Sequence, residues 1–125
     1  MMAQKARLFN DEESREAIMA AAHPRDQKAL GRRVKNFDAK IWNDNCEKIV
    51  LDGNIAKFSQ NEKLKKLLLS TYPLTLVEAS PDDKIWGIGL DMKSPNLLNE
   101  YEWGDNKLGL TLTVVRDLFY MGLIK

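Results

Sequence analysis

The sequence predicts a mainly helical domain, α+β only through a minor strand component. Three observations lead there. Apolar residues recur at helical spacing through most of the chain. One run alone, Leu74 to Ala79, alternates apolar and polar residues as a half-buried strand does. Gly and Pro punctuate a single long region, Pro81 to Leu108, as loops require. The 125 residues suit one compact domain spanning 1–125, and a chain of that size buries roughly 65% of its unfolded surface. Hydrophobic content of 44% and charged content of 30% are those of an ordinary globular protein.

Asp11-Glu12-Glu13 puts negative charge in the first turn of a helix that runs to about Ala22, where it complements the helix dipole. Pro24 suits the first turn of the next helix, carried to Val34. Gly31 inside that helix costs about 1 kcal/mol against alanine, so it marks close packing or the approach of a ligand. Asp38 opens a longer helix. Its Trp42, Cys46, Ile49, Gly53 and Ala56 fall at i, i+4, i+7, i+11 and i+14, one face of a 3.6-residue period. Leu64, Leu67, Leu68 and Thr71 repeat the pattern in a helix that Pro73 ends. A last helix, about Leu110 to Gly122, carries Leu112, Val114, Val115, Leu118 and Phe119 on more than one side, which predicts burial.

Net charge is +1, from 19 basic and 18 acidic residues, so no global field points to nucleic acid or an anionic membrane. Cys46 is the single cysteine, which rules out an internal disulfide and leans toward a reducing compartment. With His23 as the single histidine, a Cys/His zinc site is not expected, and no metal is assigned. No apolar run approaches the ~18 residues of a membrane span. Ala17 to Ala22 is short and follows acidic residues, unlike a signal peptide. The expectation is a cytoplasmic protein.

Glu78-Ala-Ser-Pro-Asp-Asp-Lys-Ile-Trp-Gly-Ile-Gly89 places a glutamate, two aspartates and a tryptophan on one punctuated connection. Loops held by a rigid scaffold are where sites are built. An indole excludes water and offers a π face, and a carboxylate beside it stabilises positive charge. A solvated acidic loop with a core tryptophan is the plain alternative.

Blocks spread along the chain give this loop a context. They are Met2-Ala-Gln-Lys-Ala6, Ala29-Leu-Gly-Arg-Arg-Val34, Trp42, Ala56-Lys-Phe-Ser-Gln-Asn61 and Leu67-Leu-Leu-Ser-Thr71. Leu76-Val-Glu-Ala-Ser80, Asp83-Lys-Ile-Trp-Gly-Ile-Gly89, Gly104-Asp-Asn-Lys-Leu-Gly109 and Val115-Arg116 follow. In this order the chain resembles the NADAR, or YbiA-like, family, named for an association with NAD and ADP-ribose. The resemblance implies a YbiA-like helical domain and an N-glycosidase, which breaks the bond between a ribose C1 and a nitrogen. The implied substrate is a phosphoribosylated intermediate of riboflavin synthesis or an ADP-ribosylated base, small or borne on nucleic acid. No metal or cofactor is implied. The family also carries an N-terminal segment ending in a catalytic glutamate, which would lie upstream of Met1, so the expectation is a domain incomplete at its N-terminus. The alternative is a non-catalytic nucleotide or ADP-ribose binding module, or an inactive fragment needing a partner segment.

The resemblance assigns the catalytic set to Asp83, Trp86 and Lys5. Asp83 serves as base or stabilises the oxocarbenium-like charge that develops on C1, or else it caps a turn; Asp82 is the weaker neighbour. Trp86 stacks on the base. Lys5 binds phosphate, pairs with a carboxylate, or is simply solvated. The substrate-binding set is Trp42, Gly87, Glu78, Asn106 and Arg32. Trp42 either walls the pocket or packs in the core. Gly87 lets backbone approach a ligand. Glu78 closes the expected strand behind the first contacts. Asn106 either bonds the sugar or holds its turn. Arg32 and Arg33 either meet phosphate or form a solvated helix face. His23 reads as a helix-start residue and Cys46 as inert core.

Overall fold

The computed structural model describes residues 1–125. Six α-helices and a short 3-10 turn, Glu100–Glu102, follow one another, and the chain groups into two compact units, Met1–Ile49 and Val50–Lys125.

The first unit holds α1 (Met2–Leu8), α2 (Glu12–Ala20), α3 (Pro24–Gly31) and the start of α4 (Ala39–Ser59). Asp11 caps α2: its Oδ1 accepts from the Ser14 N–H at 3.1 Å and its Oδ2 from the Ser14 hydroxyl at 2.6 Å. The same Oδ2 accepts from the Lys35 N–H at 2.9 Å, so one carboxylate ties α2 to the segment after α3. Pro24 takes the first helical position of α3, with His23 as its cap accepting from the Arg25 N–H. α1, α2 and α3 pack on one another around Ala6, Phe9, Ile18 and Val34, with Leu30 and Trp42 against them. Gly31 marks close packing: a Cβ there would run into the Met2 side chain. The helix α1 was not foreseen, and it supplies Ala6 to this core, with Phe9 following at its C-cap.

The second unit contains the rest of α4, then α5 (Glu62–Ser70) and α6 (Lys107–Tyr120). Phe58, Leu68, Val115 and Phe119 form its core, with Leu51, Ile55 and Leu112 around them. The expected buried face of the long helix holds at Cys46 and fails at Gly53 and Ala56, which are exposed. Val50 and Phe58 are buried instead, because they carry far more apolar area to remove from water.

The expected fold class needs correcting, because no strand forms. Leu74 to Ala79 is irregular extended chain. It has no neighbouring strand, and its polar groups are met by side chains of α6 and its cap. Leu76 N–H donates to Thr113 Oγ1 at 3.4 Å, Leu76 C=O accepts from Asn106 Nδ2 at 3.0 Å, and Glu78 N–H donates to Asn106 Oδ1 at 3.0 Å. Buried backbone groups must be paired, and here a helix takes the place of a sheet.

Candidate functional site

The loop 84–88 hangs on residues 104–108 by five backbone hydrogen bonds. Gly104 N–H donates to Ile88 C=O at 2.8 Å, Asp105 to Lys84 at 2.8 Å, Asn106 to Gly87 at 3.0 Å, Lys107 to Ile85 at 3.1 Å and Leu108 to Trp86 at 3.0 Å. Glycine makes the approach possible. A Cβ on Gly104 would run into the Lys84 carbonyl, and one on Gly87 would stand 2.8 Å from the carbonyls of both Asp83 and Glu78. The bonding also has an electrostatic consequence. Helix N-termini are ready anion sites because their first N–H groups are unpaired. In α6 the N–H groups of Lys107 and Leu108 already face loop carbonyls.

The extended segment 74–80 is held along one stripe of α6. Gly109, Thr113 and Arg116 recur at i, i+4 and i+7, which is one face of α6, and Asn106, the cap of that helix, precedes them. Arg116 is 1% exposed. It donates to Thr71 Oγ1 at 3.1 Å and to Leu74 C=O, and its Nε meets Asp117 Oδ1 at 3.0 Å. Its guanidinium lies 5.5 Å from the centre of the Tyr72 ring, which stacks on Tyr120 at 3.8 Å. A buried cation is tolerable when its donors are met in this way. Arg116 thereby fixes the bend from which the segment leaves α5.

On this frame sit Glu78, Asp83, Trp86, Gly87 and Asn106, brought together within the second unit. Asp83 Oδ1 accepts from the N–H groups of Trp86 at 2.8 Å and Ile85 at 3.0 Å. The carboxylate therefore caps its turn and is itself fixed by two donors. Asp82 is exposed. Trp86 is half-buried, and Lys107 Nζ lies 5.9 Å from its ring centre, within the range of a cation–π contact. Glu78 is exposed at its side chain, while its carbonyl accepts from Ile88 N–H at 2.9 Å. Asn106 is 3% exposed, with both ends of its amide engaged.

Lys5, Trp42 and Arg32 belong to the first unit. Lys5 Nζ lies 4.7 Å from the Phe37 ring centre and 5.6 Å from that of Trp42. Partial burial pushes the pKa of the Lys5 ammonium below its ordinary value. Trp42 is half-buried and packs against the core. Arg32 and Arg33 are exposed at the C-terminal end of α3, where cations complement the helix dipole. A cavity of about 420 Å³ in this unit is lined by Met1, Met2, Ala3, Ile18, Met19, Pro24, Gln27 and Lys28, none of them a candidate residue. No cluster of three or more His, Cys, Asp or Glu side chains is placed to hold a metal, and no helix is long and apolar enough to cross a membrane.

The arrangement of these blocks has counterparts. The sequence matches the NADAR domain over residues 1–120. The chain belongs to the NADAR family. It is 48% identical over 118 residues to N-glycosidase R617 of Acanthamoeba polyphaga mimivirus, covering 94% of this chain and 69% of that protein. Protein irg-1 of Caenorhabditis elegans is 39% identical over 119 residues, covering 93% and 56%. N-glycosidase YbiA of Escherichia coli is 33% identical over 113 residues, covering 90% and 64%. The chain thus spans between 56% and 69% of the length of these three relatives.

Within this NADAR domain, three contributors escaped the sequence reading. Lys107 adjoins Asn106 in the block Gly104–Gly109, so a basic residue there was a usable signal. Phe37 flanks Lys5 from outside the matching blocks, and no local pattern pairs them. Arg116 was visible only as part of the match at Val115-Arg116; its burial depends on partners more than forty residues away.

Proposed function

We propose that this NADAR domain hydrolyses a ribosyl–nitrogen bond. The reading rests on one observation above the others: the Asp83 carboxylate is held by two backbone N–H groups beside Trp86, on a loop fixed by five backbone bonds. Two of the relatives bear the name N-glycosidase, which supports the same chemistry.

In the reaction the C1–N bond breaks, positive charge develops on C1 and the ring oxygen, and water supplies the oxygen that bonds to C1. One proton of that water leaves and the departing nitrogen gains one. Asp83 is assigned the carboxylate that stabilises the charge or takes the proton from water. Trp86 supplies a stacking face for the base, and fixed dipoles need no reorganisation as charge develops. Gly87 keeps the loop close to Glu78. The substrate class is a phosphoribosylated amine of the riboflavin pathway or an ADP-ribosylated base, and the site of action is the cytoplasm.

The test is release of free ribose 5-phosphate or ADP-ribose from each substrate class, followed by mass spectrometry with wild-type protein and Asp83→Asn. Turnover by wild type that the variant loses is expected. Binding of both ligands without turnover would move the chain to a non-catalytic nucleotide-binding role.

A further inference from the structure

The cap of α6 meets both segments of the site. Asn106 is 3% exposed and sits at φ 53°, in the left-handed region. Its Oδ1 accepts from Glu78 N–H and its Nδ2 donates to Leu76 C=O, both at 3.0 Å. Its own backbone N–H donates to Gly87 C=O at 3.0 Å. The space beside the amide is closed as well, since a Cβ on Gly109 would collide with it and with the Leu76 carbonyl. A non-glycine residue at positive φ is uncommon and is kept only where surrounding contacts demand it. Here the contacts are visible: in that backbone shape one residue bonds the 74–80 segment with its side chain and the Trp86 loop with its main chain.

We propose that Asn106 is a positioning residue, which acts by fixing the backbone of Glu78 against that of Gly87 and touches no part of the ligand. The proposal rests on the glycosidase reading for its kinetic consequence alone. An amide 3% exposed and already bonded at both ends presents almost no surface to a sugar hydroxyl. Without the side-chain clasp, the Ile88 N–H bond to Glu78 C=O at 2.9 Å is left to tie Glu78 directly to the Trp86 loop; Glu78 can then shift on that one bond, and a misplacement of about 1 Å costs up to roughly 100-fold in rate.

Two variants separate this role from ligand contact. Asn106→Gly keeps the positive φ without steric cost and removes both side-chain bonds. Asn106→Asp keeps the acceptor for Glu78 N–H and loses the donor to Leu76. For Asn106→Gly, kcat is expected to fall roughly 10–100-fold with KM little changed. Amide hydrogen exchange at Glu78 should quicken at temperatures where the variant is fully folded. Asn106→Asp should recover the protection at Glu78 and kcat only in part, because its second oxygen then faces the Leu76 carbonyl. A raised KM at intact kcat would show that Asn106 touches the ligand and would overturn the proposal, as would unchanged kcat in the folded Gly variant. If wild type turns over no ribosyl substrate, the glycosidase reading fails by itself. The positioning role is then judged on exchange at Glu78 and Asn106, where unchanged rates in Asn106→Gly would overturn it and faster rates uphold it.

Discussion

Asp83 holds the backbone of Trp86: its Oδ1 accepts the Trp86 N–H at 2.8 Å, and the Ile85 N–H at 3.0 Å. One carboxylate thus has a turn to cap and a charge to offer, and these can be separated. Asp83→Asn keeps an acceptor for both N–H groups and removes the charge. Its melting temperature should stay near wild type, while turnover of a ribosyl–nitrogen substrate falls by roughly 10²–10⁴. Asp83→Ala loses the acceptor too and should melt lower. Equal turnover by wild type and Asp83→Asn would leave Asp83 as a turn residue only.

The close docking of the Trp86 loop predicts opposite signs for two glycine substitutions. In Gly104→Ala the new Cβ meets the Lys84 backbone carbonyl, which cannot move without breaking the five-bond frame. Overpacking of this kind costs about 1–3 kcal/mol. Gly53 lies in α4 with nothing within 4 Å of a Cβ. Gly53→Ala should therefore gain roughly 0.5–1 kcal/mol from helix propensity. Chemical denaturation of the two variants checks both signs in one experiment.

What could be read from residues alone follows sequence distance. The site loop was legible because Glu78, Asp83, Trp86 and Gly87 are neighbours in the chain. The helix starts at Asp11 and Pro24 were legible because capping is local. The strand at Leu74–Ala79 was misread for the complementary reason. Alternation describes an extended chain, and it is silent about the partner. That partner is a polar stripe of α6 with its cap, about thirty to forty residues later, and no short window shows Asn106, Thr113 and Arg116 reaching back. The long helix shows the same limit. A stripe drawn through Gly53 and Ala56 obeys the period, yet Val50 and Phe58 are the residues with area to bury.

Asp11 gives a pH dependence with a definite sign. The Lys35 N–H bond first, then the Ser14 hydroxyl and N–H, lower its pKa from 3.8 to about 2. A carboxyl with a depressed folded pKa contributes stability that is present above its unfolded pKa and is lost as pH falls through the folded one. Asp11→Ala should therefore melt below wild type at pH 7. The gap should close between about pH 4 and pH 2, where the wild-type carboxylate takes up its proton. A gap that stays constant down to pH 2 would mean that packing, not charge, carries the contribution of Asp11.

Trp86 tests whether the frame and the stacking face are separable. Its N–H is bonded to Asp83 and its carbonyl to Leu108 N–H, and neither bond uses the indole. Removing the ring therefore leaves the loop anchored. The indole is half-buried, and the Lys107 ammonium lies 5.9 Å from its ring centre. Trp86→Ala should weaken binding of ribosyl nucleotides by about 1–3 kcal/mol, the worth of one base on an aromatic face. Trp86→Phe should fall between, since a smaller ring still stacks. Full burial in a core would instead predict a stability loss of roughly 3–5 kcal/mol for the alanine variant. Calorimetric titration with ADP-ribose, run beside thermal melting of the same samples, separates these outcomes. Weaker binding at a nearly unchanged melting temperature makes Trp86 a ligand platform. A large fall in melting temperature with unchanged affinity in the folded fraction makes it packing, and Asp83 would then lose its aromatic neighbour in the mechanism.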